Sequence, residues 1–402
     1  MKILYLHQYF CTPSGTGGVR SYEFARRWVE AGHQVEVVTG TGYDITLPDD
    51  QCVEIDGVTV RCIGVKYWTQ MSFFRRLLSF ALFAIKASWR ACDAKGFDVV
   101  LATSTPLTIA IPALFAKWIA RKPMIFEVRD VWPDAAIDVG QLKNPILIGM
   151  ARLLELTVYR AADRIVPLST GMQNRIMRKG VEKDKITMIP NCCDLDRFTG
   201  GARELYRAEL SDKESFVILY VGAINVANHI EFLADAIDRL QIHSGWEWWF
   251  VGGGNQLSWL QEQAITRNWH GVRFWGPRAR EDVADFTAAA DCGVVSFIPQ
   301  PVYYENSPNK FFDYIAASLP VVFSRTTWLQ QVVEDYEAGF IGADGDVPLF
   351  VSKLLTLKDD ISLRKRMGLN ARRMAEELFS RDVMAKKYLK VFDQVLLNSG
   401  KN

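Results

Sequence analysis

Along most of its 402 residues the chain alternates short apolar runs of strand length with longer stretches of helical period, and that alternation breaks once. The first run, Ile3–His7, passes through a Ser/Thr/Gly-rich loop (Thr12–Gly18) into a helix over Val19–Ala31 and, after a Gly-His turn, a second strand at Val35–Thr39. A βαβ unit of this length joins parallel strands. Strand-length runs recur at Val58–Ile63, Val99–Ala102, Met124–Val128, Arg164–Leu168 and Ile186–Ile189, with helical stretches between most of them. That pattern predicts a parallel sheet covered on both faces. From Pro190 to about Gly201 neither period holds. The alternation restarts with strands at Val217–Val221, Trp248–Val251, Val272–Trp275, Cys292–Phe297, Pro320–Phe323 and Gly339–Ile341, separated by helices near 227–242, 255–268, 281–290, 309–318 and 346–356. The expectation is an α/β chain of two Rossmann-like doubly wound domains, residues 1–195 and 196–380. Ile361–Leu397 reads as helix broken near Phe379–Ser380, and residues 381–402 are expected to pack back on the first domain. Ligands of open α/β sheets bind at the C-terminal ends of the strands, so the cleft between two such domains is the default site.

Composition narrows the function. Lys and Arg number 47 against 46 Asp and Glu, which lacks the basic excess of a nucleic-acid binder. The charge is uneven: residues 1–194 carry a net +5 and residues 195–402 a net −4. Seven cysteines without a C-x-x-C, and five histidines without a cluster, point away from a disulfide framework or a structural zinc. Met1 runs directly into the first strand, with no charged leader or small-residue cleavage site, so no signal peptide is expected. The longest apolar runs, Leu77–Ile85 and Leu107–Ala116, fall short of the roughly 20 residues of a spanning helix. A cytoplasmic protein, peripheral on the inner face of the membrane at most, is the expectation.

Three loops follow apolar strands and are rich in glycine. Pro13-Ser-Gly-Thr-Gly-Gly-Val-Arg20 stands between the first strand and first helix, where glycine lets the backbone approach a ligand and helix-start N–H groups favour a phosphate. It is not G-x-G-x-x-G, so a dinucleotide fingerprint is absent. Val221-Gly-Ala-Ile-Asn-Val-Ala-Asn228 and Val251-Gly-Gly-Gly-Asn255 repeat the placement in the second domain and could surround a diphosphate. The richest stretch is Tyr304-Glu-Asn-Ser-Pro-Asn-Lys-Phe-Phe-Asp313. Ser307-Pro308 reads as an N-cap with Pro at the first helical position, leaving Glu305 in the loop and Asp313 one turn into the helix. Lys310 opposes the usual preference for acids in a first turn, which suits an anion ligand better than helix stability.

In order along the chain, Gly32-His-Gln-Val-Glu-Val-Val-Thr39 behind the glycine loop, Ile189-Pro-Asn-Cys-Cys-Asp-Leu-Asp-Arg-Phe198, and Glu305 followed eight residues later by Asp313 resemble the GT-B fold glycosyltransferases of family four. Phe126-Glu-Val-Arg-Asp-Val-Trp-Pro133 and Ser307-Pro-Asn-Lys-Phe-Phe-Asp313 are most similar to the branch of the N-acetyl-L-fucosamine transferases of O-antigen and capsule assembly. The resemblance implies two Rossmann-like domains facing across a cleft. It also implies retention of configuration, a nucleoside-diphosphate sugar donor, most simply a UDP-sugar, and a glycan or polyprenyl-diphosphate-linked acceptor. Carried over, Glu305 contacts the donor sugar near the reacting centre, and the N–H groups of Asn306–Asn309, with Ser307 and Asn309, hold diphosphate oxygens. Asp313, shorter than the family's usual Glu, binds the ribose hydroxyls. Gly17 and Gly18 let the first loop close on phosphate, Gly222 and Asn225 border the donor, and Gly252–Gly254 with Gly276 and Arg278 border the base.

Two departures matter. The family usually has Arg directly after the glycine of Val-Gly-Arg and Lys five residues on, where this chain has Ala223 and Asn228. Neutralising a leaving diphosphate is a large electrostatic demand, so Lys310 and Arg129 become the candidate cations. Arg129 stands where many relatives have His; it stays protonated and cannot act as a base. Asp130 is then the nearest acid-base group, or else the partner that orients Arg129. With no carboxylate placed as a nucleophile, same-face displacement is expected, the leaving phosphate oxygen taking the acceptor proton. No cofactor and no metal site are expected: Asp194-Leu-Asp196 lies in the linker. In Phe73–Arg90 a helical projection gathers Arg75, Arg76, Lys86 and Arg90 into one arc with Phe83, Leu82 and Trp89, which fits either a solvated basic face or a peripheral membrane contact. A nucleotide-sugar epimerase of the same fold and a non-catalytic partner subunit are the alternatives.

Overall fold

The computed structural model describes residues 1–13, 15, 18–41, 47–67, 71–138, 140, 142–198, 207, 215–342 and 344–400. The chain divides into two compact units, residues 1–190 with 384–402, and residues 191–383.

The first unit is a seven-stranded sheet in the order β3-β4-β2-β1-β5-β6-β7. Its strands are β1 (Lys2–Leu6), β2 (Gln34–Thr41), β3 (Cys52–Ile55), β4 (Val58–Lys66), β5 (Val99–Thr103), β6 (Met124–Val128) and β7 (Arg164–Pro167). Every pairing is parallel except β3 with β4. The all-parallel expectation fails at that edge because Asp56-Gly57, both at positive φ, make a tight hairpin turn. The four-residue β3 is too short to announce itself. The strand expected at Ile186–Ile189 is absent; only an isolated bridge from Ile165 to Ile186 forms. Helix α1 (Arg20–Glu30) follows β1, α2 (Phe73–Cys92) follows β4, α3 (Ala110–Trp118) follows β5, α4 (Asp134–Asp138) and α5 (Pro145–Ala161) follow β6, and α6 (Thr170–Arg178) follows β7. The step from β1 to β2 runs one way across the sheet and the steps from β4 to β7 run the other, so right-handed crossovers put α1 on one face and α2, α3 and α5 on the opposite face. On the α1 face Trp28 packs edge-on against Tyr388 and Phe392 of the C-terminal helix (Arg381–Ser399).

The second unit is a six-stranded, wholly parallel sheet in the order β10-β9-β8-β11-β12-β13. The strands are β8 (Phe216–Val221), β9 (Trp246–Val251), β10 (Val272–Gly276), β11 (Cys292–Val295), β12 (Val321–Phe323) and β13 (Gly339–Ile341). Trp248 and Trp249 are fully buried in its two core layers, as alternation on a two-sided sheet requires. The final helices are Ile361–Met374 and Arg381–Ser399, separated by a π-helical turn over Ala375–Phe379. Strand order reverses between β1 and β5 in the first unit and between β8 and β11 in the second. The loops at those two switch points are where open α/β sheets place ligands.

Candidate functional site

In the second unit Lys310, Gly222, Asn225, Gly252 and Gly254 of the expected donor side lie together at the end of β8. Lys310, in the first turn of the helix Asn309–Ala316, is buried. Its ammonium donates to Asn228 Oδ1 at 3.1 Å and lies 3.9 Å from the centre of the Tyr220 ring. A Cβ at Gly222 would fall 3.7 Å from Lys310 Nζ. The cation therefore reaches the side chain of Asn228 and the glycine before Ala223, the two positions whose expected charges are missing. Burial pushes its pKa down to about 7. At the start of this helix the Phe311 N–H turns back to the Pro308 carbonyl at 3.1 Å.

Ser307 corrects the capping expectation. The helix starts at Asn309 with Pro308 as its N-cap and no side-chain cap. The Ser307 hydroxyl instead accepts the Asn191 N–H at 3.2 Å, while its carbonyl accepts Asn191 Nδ2 at 2.7 Å. Of the N–H groups assigned to diphosphate, that of Asn306 is already donated to the Tyr303 carbonyl. Glu305, half-buried, ends the short helix Pro301–Tyr304. The following loop is held by the Trp328 indole N–H on the Asn306 carbonyl at 2.9 Å. Asn309 is exposed, and Asp313 is buried one turn further on.

The glycine loops of the second unit pack on one another. A Cβ at Gly252 would sit 1.9 Å from the Gly222 carbonyl oxygen, and one at Gly254 2.2 Å from that of Ile224, both at positive φ. These glycines let the β8 and β9 loops lie backbone against backbone, joined by Ile224 N–H to Gly253 O at 2.9 Å. Closeness to a neighbouring loop is by itself enough to require them. Asn225 is engaged in the same fold, its Oδ1 accepting from the Asn228 backbone and side chain. Arg278 is exposed and donates to the Trp275 carbonyl at 3.1 Å.

Three residues not singled out by the sequence lie just past the strands at this rim. Ser296, Ser324 and Arg325 have buried Oγ, Oγ and Nε atoms without a partner among the described residues. The Arg325 guanidinium adds to burial in pushing the His229 pKa down, so a second cation stands near the loop after β8. Their only signal in the sequence is a polar residue following an apolar run.

In the first unit, Gly17 lies outside the described residues. Gly18 approaches Arg129, whose Nη2 would be 3.7 Å from a Cβ there. Arg129 follows β6; its N–H donates to Ser104 Oγ at 3.0 Å, and its Nη1 lies 3.4 Å from His7 Nε2. A guanidinium only donates, so His7 accepts at Nε2 and carries its proton on Nδ1, which is buried without a partner among the described residues. Burial first, then Arg129, pushes the His7 pKa down to about 3, keeping the ring neutral. Asp130 takes the Thr105 hydroxyl at 3.1 Å, and no ion pair joins it to Arg129 among the described residues. Behind this rim Arg20 and Glu127 form a buried pair at 2.9 Å. Arg20 also donates to the Ile189 and Pro190 carbonyls at 2.8 and 2.5 Å, and Glu127 accepts the Thr103 and Tyr388 hydroxyls. Burial pushes the Glu127 pKa up, but Arg20, Arg129 and those two hydroxyls outweigh it and hold it at about 2.

Residues 15–192 match the family described as Glycosyl transferase 4-like domain, and residues 215–360 match Glycosyl transferases group 1. The chain belongs to the glycosyltransferases. Its fold is GT-B, shared over nearly the full length with solved transferase structures. Sucrose-phosphate synthase from Thermosynechococcus elongatus aligns with a TM-score of 0.78 at 19% identity, covering 99% of both chains. The Anabaena protein HepE, solved in complex with UDP and glucose, aligns with a TM-score of 0.74 at 17% identity, covering 98% of this chain and 99% of HepE. A curated relative, the capsular polysaccharide biosynthesis glycosyltransferase CapM of Staphylococcus aureus, is 23% identical over 268 residues, 61% of this chain and 66% of CapM. Across the curated relatives of this glycosyltransferase the match spans 54% to 70% of the relative's own length.

Proposed function

We propose that this glycosyltransferase moves a sugar, with retention, from a UDP-sugar to a glycan or polyprenyl-diphosphate-linked acceptor in the assembly of a surface polysaccharide. The observation that carries the reading is Lys310: a buried cation on Asn228 and beside Gly222, at the switch point of the second sheet, where the usual cations for a leaving diphosphate are replaced. Support for UDP comes from HepE, whose structure contains it. Support for polysaccharide assembly comes from relatives named for teichuronic acid, colanic acid and capsule biosynthesis.

In the proposed reaction the bond from the anomeric carbon to the β-phosphate oxygen breaks, and a bond to the acceptor hydroxyl oxygen forms on the same face. The hydroxyl proton passes to the departing phosphate oxygen, and UDP leaves. Lys310 and the N–H groups of Ser307 and Asn309 stabilise the growing negative charge, Glu305 orients the sugar, and Asp313 accepts from the ribose hydroxyls. Arg129, held by neutral His7, and Asp130 are assigned to the acceptor side. The test is thermal stabilisation by UDP, GDP and NAD in the presence of a chelator, since a ligand that binds only the folded state raises apparent stability. UDP is expected to raise the melting temperature of the wild type and not of Lys310→Ala. No shift with UDP, or an undiminished shift in the variant, would overturn the assignment.

A further inference from the structure

Helix α2 is built inside out. Its sheet-facing side is lined mainly by small residues, Ser79, Ala84, Ala87, Ser88 and Ala91, with Phe83 among them. Its outward stripe is Phe74, Leu78, Ile85 and Trp89, with Phe74 80% and Trp89 78% exposed. The arc of basic residues read from the helical projection is thereby corrected: Phe83 is in the core, Arg90 turns to Glu36, and the solvent side is chiefly apolar. Burial of large side chains is the main return on packing a helix, and α2 forgoes it where it is most available.

The same inversion continues across its neighbours. Helix α2 packs on α3 and α3 on α5, all on one face of the first sheet. Helix α3 ends with Trp118 60% exposed, and α5 presents Ile146, Met150 and Leu153 at helical spacing. Scattered exposed apolar residues are ordinary; a stripe continued over three packed helices marks an interaction surface.

Charge identifies the occupant. The three helices contain one carboxylate, Glu155, and it is buried on Lys179 at 2.5 Å. Arg75, Lys86, Arg152 and Arg160 are exposed among or beside the apolar side chains. The neighbouring exposed acids, Asp50 and Asp93, are each held by a cation, Lys86 at 3.6 Å and Arg90 at 3.5 Å. We propose that the α2–α3–α5 face docks this protein on an anionic lipid bilayer, its aromatic and aliphatic side chains entering the headgroup boundary and its cations meeting lipid phosphates. A second copy placed symmetrically on this face would set cation against cation. No helix among the described residues is long and apolar enough to cross a membrane, so the contact is with one leaflet. The proposal stands apart from the donor site in the second unit.

The test uses the full chain with sedimented vesicles of phosphatidylcholine, with or without phosphatidylglycerol. Binding is expected on the anionic vesicles, weaker at high salt and on phosphatidylcholine alone. Ile85→Ser with Trp89→Ser, Ile146→Ser with Leu153→Ser, and Arg75→Gln with Arg152→Gln are each expected to weaken it by about tenfold or more. All change exposed side chains, so their melting temperatures and UDP-induced shifts are expected to match wild type, which separates failure here from failure of the transferase reading. A monomer that ignores anionic vesicles overturns the proposal, as does a dimer in solution that the same substitutions dissociate.

Discussion

Lys310 and Glu127 are buried ionisable side chains handled in opposite ways. Glu127 is surrounded by donors and cations, and its folded pKa of about 2 lies below the ordinary 4.5. The unfolded chain therefore binds more protons between those values, and the stabilisation, complete above pH 4.5, is lost as pH falls through 2. Glu127→Gln is expected to cost about 3–5 kcal/mol at pH 7 by leaving Arg20 buried and uncompensated. Urea titrations should show the gap from wild type narrowing toward pH 2; an equal gap at pH 7 and pH 3 would contradict the pairing. Lys310 has a neutral partner and an aromatic face, and its pKa of about 7 lies below the ordinary 10.5. Stability should then rise with pH from 7 toward 10.5 in the wild type, and not in Lys310→Met. A diphosphate prefers the protonated lysine, so UDP affinity should fall between pH 7.5 and 9 by up to about tenfold per pH unit. Calorimetry showing the same slope in Lys310→Met would remove the lysine from the site.

At the scale of elements, the loops after β8 and β9 act as one object because two missing side chains let their backbones touch. Gly252→Ala and Gly254→Ala are expected to destabilise by at least about 2 kcal/mol, from collision and strained backbone together, and to weaken UDP binding by moving the loop that carries Asn228. Gly149 supplies the contrast: it lies within α5 with nothing inside 4 Å of a Cβ. Gly149→Ala should raise stability by about 0.5–1 kcal/mol. Denaturant titration of the three variants checks both, and a neutral Gly252→Ala would show that the loops need not touch. The sequence places glycine at these strand ends, but it does not say whether a ligand or another loop fills the space a side chain would take.

Across the molecule, the last helix belongs to the first unit although it follows the second in the chain. Tyr388 joins Glu127 and Arg20 to Phe24 and Trp28. Tyr388→Ala is expected to cost about 3–5 kcal/mol. Its effect should be strongly non-additive with Glu127→Gln in a double-mutant cycle, because the two share one hydrogen bond; simple additivity would deny the coupling. The period of apolar residues determined most of the strands of both sheets and their parallel sense, because burial on both faces demands continuous apolar runs. Local motifs determined where Glu305, Lys310 and Asp313 lie relative to a strand and a helix start. Only tertiary structure set Lys310 on Asn228, 82 positions away, brought Ser296, Ser324 and Arg325 to one rim, and turned the large side chains of α2 away from the sheet. Periodicity records that a helix has an apolar stripe, whereas the direction it faces depends on which neighbouring surface leaves room for it.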